Sequence, residues 1–215
     1  MQNIYACGER RVIWGSAMRR WMLPIACFLA ATQASAQTPV GAVPDGVKCI
    51  ADRAGASLSK AAGEMVESRN TDFPFDMWLP HLLICSQKFK WEYRSQRQSA
   101  MDFARSLGLI SYFGDRLRAL KLSPASIVQL HDRLPPDLRF VVGSTPLYGQ
   151  PSELATGQLE VFVKANSEAK TQPALGYAAA ILRAEIQRRD AIASYVRISE
   201  QIRTQNAAPT AQPKP

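Results

Sequence analysis

The first 36 residues have the three-part pattern of an export signal, and this feature decides which part of the chain folds. Arg19 and Arg20 supply positive charge, and an apolar run of eleven residues, 21–31, follows directly. The tripeptide at 34–36, Ala-Ser-Ala, places small side chains at the two positions that a signal peptidase reads. A membrane-spanning helix needs about 20 apolar residues, so the run is too short for one. The pattern predicts a cleaved signal peptide and a mature chain that begins at Gln37, in the periplasm or secreted.

Two properties of this signal stay open. Met18 directly precedes the charged pair and would begin a more typical signal than Met1 does. The two arginines, followed by Trp21, Met22 and Leu23, also fit a twin-arginine signal superficially, but an ordinary secretory signal is the preferred interpretation. The sequence therefore predicts export, but it leaves both the start and the route open.

Removal of the signal changes the size and the charge of the chain. It leaves residues 37–215, a length that suits one domain with a substantial core. The signal holds four arginines and one glutamate. Its removal lowers the number of Lys and Arg residues from 26 to 22 and the number of Asp and Glu residues from 18 to 17, so the net charge falls from +8 to +5. A nucleic-acid-binding protein usually has a clustered basic face. We therefore expect no nucleic-acid partner.

The mature chain keeps two cysteines, Cys49 and Cys85, because Cys7 and Cys27 leave with the signal. An even number of cysteines in an exported protein predicts a disulfide bond, with two buried thiols as the alternative. Closing a loop of this length stabilises the fold by roughly 3.5–4 kcal/mol in the loop-entropy account. His81 is the only histidine near either cysteine, so we expect no metal site, and no motif indicates a cofactor.

Helical periodicity runs through most of the mature chain, and no segment alternates as a strand does. After an extended lead-in at 37–46, the spacing predicts an all-α domain over 47–205, an irregular bundle of about five to six helices. A disordered tail is expected at 206–215, which is rich in proline and has no aromatic residue. The helices are expected at 47–68, 77–107, 109–122, from Pro124 to before Pro135, at 152–170 and at 171–205.

Several boundaries of these helices depend on single residues. Gly108 is expected to end the 77–107 helix in a left-handed conformation. Ser123 is expected to cap the next helix, with Pro124 at its first position. The segment Phe140-Val141-Val142 is predicted to be a short strand or a buried turn.

The last helix is longer than a domain of this size needs. At 1.5 Å per residue it would extend for roughly 50 Å. Its C-terminal half either projects and contacts a partner helix, including that of a second copy of the chain, or folds back along the bundle. No transmembrane segment is expected after signal cleavage.

A basic and aromatic segment at 88–105 is the best candidate for a binding surface. Trp91 lies off the apolar stripe of its helix, beside Lys88 and Arg94. Surfaces of this composition bind carbohydrate, lipid head groups or proteins. The alternative is a solvated helix face whose tryptophan packs on a neighbouring helix.

One short motif suggests chemistry. Glu67-Ser68 resembles the Glu-Ser signature around the catalytic acid of lytic transglycosylases, which are mainly helical envelope enzymes. The resemblance implies that Glu67 would protonate a glycosidic oxygen, which requires a raised pKa. The Gly-Leu-Met-Gln-type loop of that family is missing from this chain, so Glu67 stands without the rest of the pattern.

The pair His131-Asp132 is a second hint of catalysis, but adjacent residues on a helix point about 100° apart, so we expect Asp132 not to orient His131. The leading hypothesis is a non-enzymatic, exported protein that acts by protein interaction, as an accessory or structural component of an envelope assembly. The alternatives are a cell-wall glycan-cleaving enzyme with Glu67 as general acid and a helical domain that binds a small ligand between its helices.

Overall fold

The computed structural model describes residues 42–67, 75–143 and 153–207, and these ranges contain helices and no strand. The all-α prediction is therefore confirmed. The helices are α1 (Asp45–Ala54), α2 (Ser57–Glu67), α3 (Phe75–Phe89), α4 (Arg94–Ala119), α5 (Pro124–Gln129), a 3₁₀ helix (Leu130–Arg133), α6 (Pro136–Gly143), α7 (Glu153–Asn166) and α8 (Gln172–Ala207). The predicted signal and most of the predicted lead-in and tail lie outside the described residues. Among the helices above, none is long and apolar enough to cross a membrane.

The two longest helices, α4 and α8, form the centre of the bundle and run antiparallel. Phe103 near the start of α4 shares a buried cluster with Tyr195 near the end of α8. Leu109 packs with Ala184 at the middle of both helices. Leu117 near the end of α4 belongs to the cluster that holds Leu175 at the start of α8. The remaining helices pack around this pair, with α1, α2 and α3 at one end and α5, α6 and α7 towards the other.

The disulfide bond joins α1 to α3. Cys49 and Cys85 are both buried, and their Cα atoms are 6.0 Å apart. They lie in the cluster that also contains Val47, Ile50 and Trp78. The predicted pairing is therefore present, and it holds α3 against the first helix.

The helix expected at 47–68 is two helices, so that boundary prediction is wrong. The break falls after Ala54, where Gly55 has a φ of 50°, a value that side-chain-bearing residues rarely adopt. The hydroxyl of Ser57 donates a hydrogen bond to the carbonyl oxygen of Ala54 at 2.7 Å. The turn satisfies the end of α1 and lets α2 start in a new direction.

The helix expected at 77–107 is also interrupted. Lys90 has a φ of 50°, and the N–H of Trp91 donates to the carbonyl oxygen of Ser86 at 3.1 Å. This is the hydrogen bond that closes a helix in a Schellman motif. It ends α3 at Phe89 and redirects the chain before α4 begins at Arg94.

Gly108 does not end a helix, contrary to the prediction. It lies inside α4, which continues to Ala119. A Cβ atom at this position would stand 2.6 Å from the carbonyl oxygen of Leu58, so glycine allows α2 to approach α4 closely. The true end is at Lys121, where φ is 61° and the N–H of Leu122 donates to the carbonyl oxygen of Leu117 at 3.0 Å.

The later helices are closer to expectation. Pro124 is the first residue of α5 and Ser123 is at the N-cap position, as predicted, but the Ser123 side chain makes no capping hydrogen bond. Phe140, Val141 and Val142 belong to α6, so the predicted strand or turn is wrong. The last helix runs without a break to Ala207, and residues 196–207 are half-buried or exposed throughout. The contact of this end with a partner helix stays a prediction.

Candidate functional site

Helix α3 is apolar on both of its faces. Trp78, Leu82 and Cys85 point inward and are buried. The opposite side, called the α3 face below, exposes Pro80 and four large apolar side chains whose exposed fractions lie between 37% and 54%, namely Met77, Leu79, Leu83 and Ile84. The packed side explains how α3 is held in the fold, and the exposed side is left facing solvent.

Basic side chains border the C-terminal end of the α3 face. Lys88 and Lys90 are exposed, and Arg94 is exposed at the first position of α4. The Nζ atom of Lys88 lies 5.1 Å from the centre of the Phe89 ring, a cation–π contact. Two of the predicted binding residues, Lys88 and Arg94, thus flank the turn between α3 and α4.

The third predicted binding residue, Trp91, is only 3% exposed, so it does not lie on the surface, and the alternative of a tryptophan that packs on a neighbouring helix is the one observed. The predicted apolar stripe follows one continuous helix, whereas the left-handed turn at Lys90 rotates Trp91 inward. Its ring lies beside Phe89, with centroids 6.3 Å apart, and edge-on to Tyr195, with centroids 6.4 Å apart. Of the three predicted binding residues, Lys88 and Arg94 are therefore on the surface beside the α3 face, and Trp91 is buried.

A cleft of about 240 Å³ lies between the C-terminal end of α2 and helices α4, α6, α7 and α8, and it is called the α8 cleft below. Its walls are mostly apolar and include Met65, Leu109, Phe113 and Leu159 from α2, α4 and α7. Helix α8 contributes one whole side of the cleft, mainly with small residues. The sequence reasoning missed this cleft, because a space left by small side chains on one helix leaves no signal until its neighbours are known.

Among the described residues, four polar ones contribute to the lining of the α8 cleft: Thr156, Glu160, Arg183 and Gln187. Arg183 is half-buried, and this burial lowers the pKa of its guanidinium from the usual value. An apolar cleft with a few polar groups is the usual form of a small-molecule site. The arrangement can bind a ligand that has an apolar body and one polar group.

A charge cluster on the other side of α8 centres on Glu185, which is 1% exposed. Arg188 donates two hydrogen bonds to its carboxylate, each of 2.7 Å, and Arg189 donates a third at 2.8 Å. Burial raises the pKa of Glu185, but these hydrogen bonds and charges outweigh it and hold the pKa below its usual value. Arg189 also donates to Asp132 at 2.8 Å, so the cluster joins the 3₁₀ helix to α8.

His131 is buried at the edge of this cluster, and its Nδ1 lies 3.2 Å from Oδ1 of Asp132. The expectation that Asp132 could not orient His131 is wrong, because the segment forms a 3₁₀ helix instead of continuing α5. The backbone oxygen of His131 accepts a hydrogen bond from Arg139 of α6 at 3.2 Å. Burial is the largest influence on the pKa of His131 and lowers it. These contacts tie the 3₁₀ helix to its neighbours, which is a structural role.

The enzymatic alternative rests on Glu67, the last residue of α2. Its side chain and Ser68 lie outside the described residues, so its role as a general acid stays a prediction. Over 42–67, 75–143 and 153–207, no group of three His, Cys, Asp or Glu side chains could hold a metal ion.

The chain matches no protein-family model, no curated protein and no solved structure.

Proposed function

We propose that the protein binds a partner protein in the cell envelope through the α3 face and serves as an accessory or structural component of an assembly. The observation that supports this most is the exposure of Met77, Leu79, Leu83 and Ile84 on a helix whose other side is buried. A helix that is apolar all round is normally buried. Exposed apolar patches with polar rims are typical of protein interaction sites. A partner would complete the burial of α3.

The charges around the α3 face indicate what the partner looks like. Lys88, Lys90 and Arg94 border its C-terminal end, so a complementary partner would have an apolar surface with acidic side chains at the matching edge. Charges at the rim of an interface contribute mostly to the association rate and to specificity, whereas the buried apolar centre supplies most of the affinity.

The compartment is part of the proposal. The disulfide between Cys49 and Cys85 supports an oxidising location, because such bonds are rare in reducing compartments. Intact-mass measurement on protein recovered from the envelope fraction should give a chain that begins at Gln37. A chain that keeps residues 1–36, or one found only in the cytoplasm, would contradict the proposed export.

The docking proposal is tested by site-specific photo-crosslinking in cells that produce the full chain. A photoreactive amino acid replaces Leu83 in the α3 face, and in a matched protein it replaces Val161, which is 70% exposed on α7. We expect one dominant protein adduct at position 83 and none of that mass at position 161. Equal adducts at both positions, or none at position 83, would overturn the docking proposal.

Charge reversal then distinguishes a specific interface from nonspecific association of an apolar surface. The variant Lys88→Glu/Arg94→Glu should reduce the adduct at position 83 severalfold, because it opposes an acidic rim on the partner. The control Lys164→Glu changes an exposed charge on α7 and should leave the adduct unchanged. An adduct that does not respond to the reversal would rule out the proposed acidic partner surface.

A further inference from the structure

We propose that the α8 cleft binds the acyl chain of a single-chain amphiphile and places the anionic head group of that ligand beside Arg183. The site is separate from the α3 face and does not depend on the function proposed for it. Its ligand would be a medium-chain fatty acid or a single-chain phospholipid, which share an aliphatic chain and one anionic head group.

The shape of the cleft favours a linear chain. Along α8 its lining has small residues on successive turns, at Gly176, Ala179, Ala180 and Ala184, and ends at Gln187. This stretch extends for about 16 Å at 1.5 Å per residue. The volume of about 240 Å³ would hold on the order of eight water-sized groups at about 30 Å³ each. A space of this volume along about 16 Å of α8 fits about eight to ten chain carbons better than a ring system.

Gly176 gives independent support for open space above α8. An added Cβ atom at this position would meet no heavy atom within 4 Å, although Gly176 is in the cleft lining and is half-buried. The walls opposite are apolar side chains, including Phe113 and Leu159. Removal of each chain methylene from water raises the affinity about fourfold, so the affinity should rise with chain length until the cleft is full.

The polar residues assign the two ends of the ligand. A connection of five residues, 167–171, joins α7 to α8 as an antiparallel pair, so Thr156 lies near the level of Arg183 and Glu160 lies nearer to Gly176. Arg183 and Gln187 follow each other by one turn on the cleft side of α8. A guanidinium has five donors and can bind a carboxylate or phosphate in addition to the interactions it already makes.

Glu160 limits the number of negative charges that the ligand can carry. A second negative charge on the ligand at the level of Glu160 would be repelled, so the remainder of the ligand should be uncharged. Burial lowers the pKa of Arg183, which shows that its charge is poorly hydrated. An anion close to this guanidinium gains more than it would at a fully hydrated one.

Calorimetric titration of the mature chain with decanoate, octanoate, 1-decanol and decanoyl-lysophosphatidylglycerol tests the proposal. We expect one decanoate per chain, bound about 16-fold more tightly than octanoate and about tenfold more tightly than decanol. Binding of decanoate alone would identify the free acid as the ligand class, and binding of the lysophospholipid alone would identify the lipid. If neither binds at millimolar concentration, the proposal is wrong.

Two glycine variants provide a matched pair for the same titration. Gly176→Leu puts a side chain into the cleft and should abolish binding of decanoate. Gly157→Leu makes the same change at an exposed position of α7 that also has no heavy atom within 4 Å of an added Cβ, and it should bind as the wild type does. Equal binding by both variants would place the ligand elsewhere.

Arg183→Gln tests the head-group contact alone. The affinity for decanoate should fall about tenfold, to that for decanol, while the affinity for decanol itself should not change. A variant that still prefers decanoate to decanol would show that the anionic head group does not lie beside Arg183.

Discussion

The indole N–H of Trp91 donates a hydrogen bond to the hydroxyl of Tyr195 across 3.0 Å, and this buried contact joins residues that are 104 positions apart. It fixes the end of α3 and the start of α4 against the C-terminal part of α8. On the other side of the same hydroxyl lies Gly46 of α1, where an added Cβ atom would stand 1.8 Å from the oxygen. Helix α1 and the turn between α3 and α4 therefore meet at one tyrosine side chain of α8.

The first prediction concerns this junction. Gly46→Ala should destabilise the protein by about 1–3 kcal/mol, because the new methyl group overlaps Tyr195 and the core is already packed. Urea denaturation followed by tryptophan fluorescence measures the loss. In a Tyr195→Ala background the same substitution should cost little, since the collision partner is gone. Equal costs in both backgrounds would show that Tyr195 does not occupy this place.

The second prediction concerns the disulfide. Cys49→Ser/Cys85→Ser should lower the free energy of unfolding by roughly 3.5–4 kcal/mol at a separation of 36 residues. Reduction of the wild-type protein should lower it by a similar amount, and the same treatment should leave the double variant unchanged. Thiol titration of the native protein before reduction should detect neither Cys49 nor Cys85, and a count of two in the mature chain would contradict the bond.

The third prediction is a dependence on pH that comes from His131. Burial keeps the pKa of His131 below 6.5 in the folded protein, so the unfolded chain binds the proton more readily. The resulting stability is present above pH 6.5 and is lost as the pH falls from 6.5 through the folded-state pKa. The charged groups that face His131 are Asp132, Arg139, Glu185, Arg189 and Asp190.

Urea denaturation at pH 7.5 and pH 5.5 checks this expectation. The wild-type protein should be less stable at pH 5.5, and His131→Asn should reduce the difference between the two values. The control His81→Asn changes the other histidine of the chain, and it should keep the part of the difference in stability between the two pH values that His131 supplies. A difference unchanged in His131→Asn would assign the pH dependence to other groups.

The fourth prediction tests whether Gly108 is needed for the close contact between α2 and α4. As a residue of close helix contact, its replacement by alanine should cost about 1–3 kcal/mol, because a backbone carbonyl at 2.6 Å cannot move aside easily. As an ordinary helical position it would gain about 1 kcal/mol of helix propensity. Thermal unfolding of Gly108→Ala gives the sign directly, with Gly157→Ala as a control that has open space.

Local patterns predicted the helices well and their ends poorly. Apolar spacing indicated the helical class, and Ser123-Pro124 marked the start of α5 because proline is suited to the first turn. Lys90 and Lys121 adopt left-handed conformations that favour glycine, so no local preference marks them as helix ends. Gly55 does carry such a signal, and the continuous stripe around it concealed the break.

Prediction of the candidate sites from the sequence was limited by tertiary packing, which local patterns do not show. Lys88 and Arg94 are exposed as their charge predicts, but Trp91 is buried because a turn of one residue changes the direction of its side chain. The α8 cleft depends on small residues of one helix facing larger ones from four others, and only the packed fold brings these together. The pairing of Cys49 and Cys85 was predictable because the predicted loss of the signal would remove the other two cysteines, Cys7 and Cys27.

The bridge between α1 and α3 also bears on where the α3 face reaches its full stability. In a reducing compartment this bond is absent, and α3 is then held by noncovalent packing on α1 and α4. If the chain is exported as proposed, the bond would form only in the oxidising compartment, so the α3 face would be fully stabilised where the proposed partner lies.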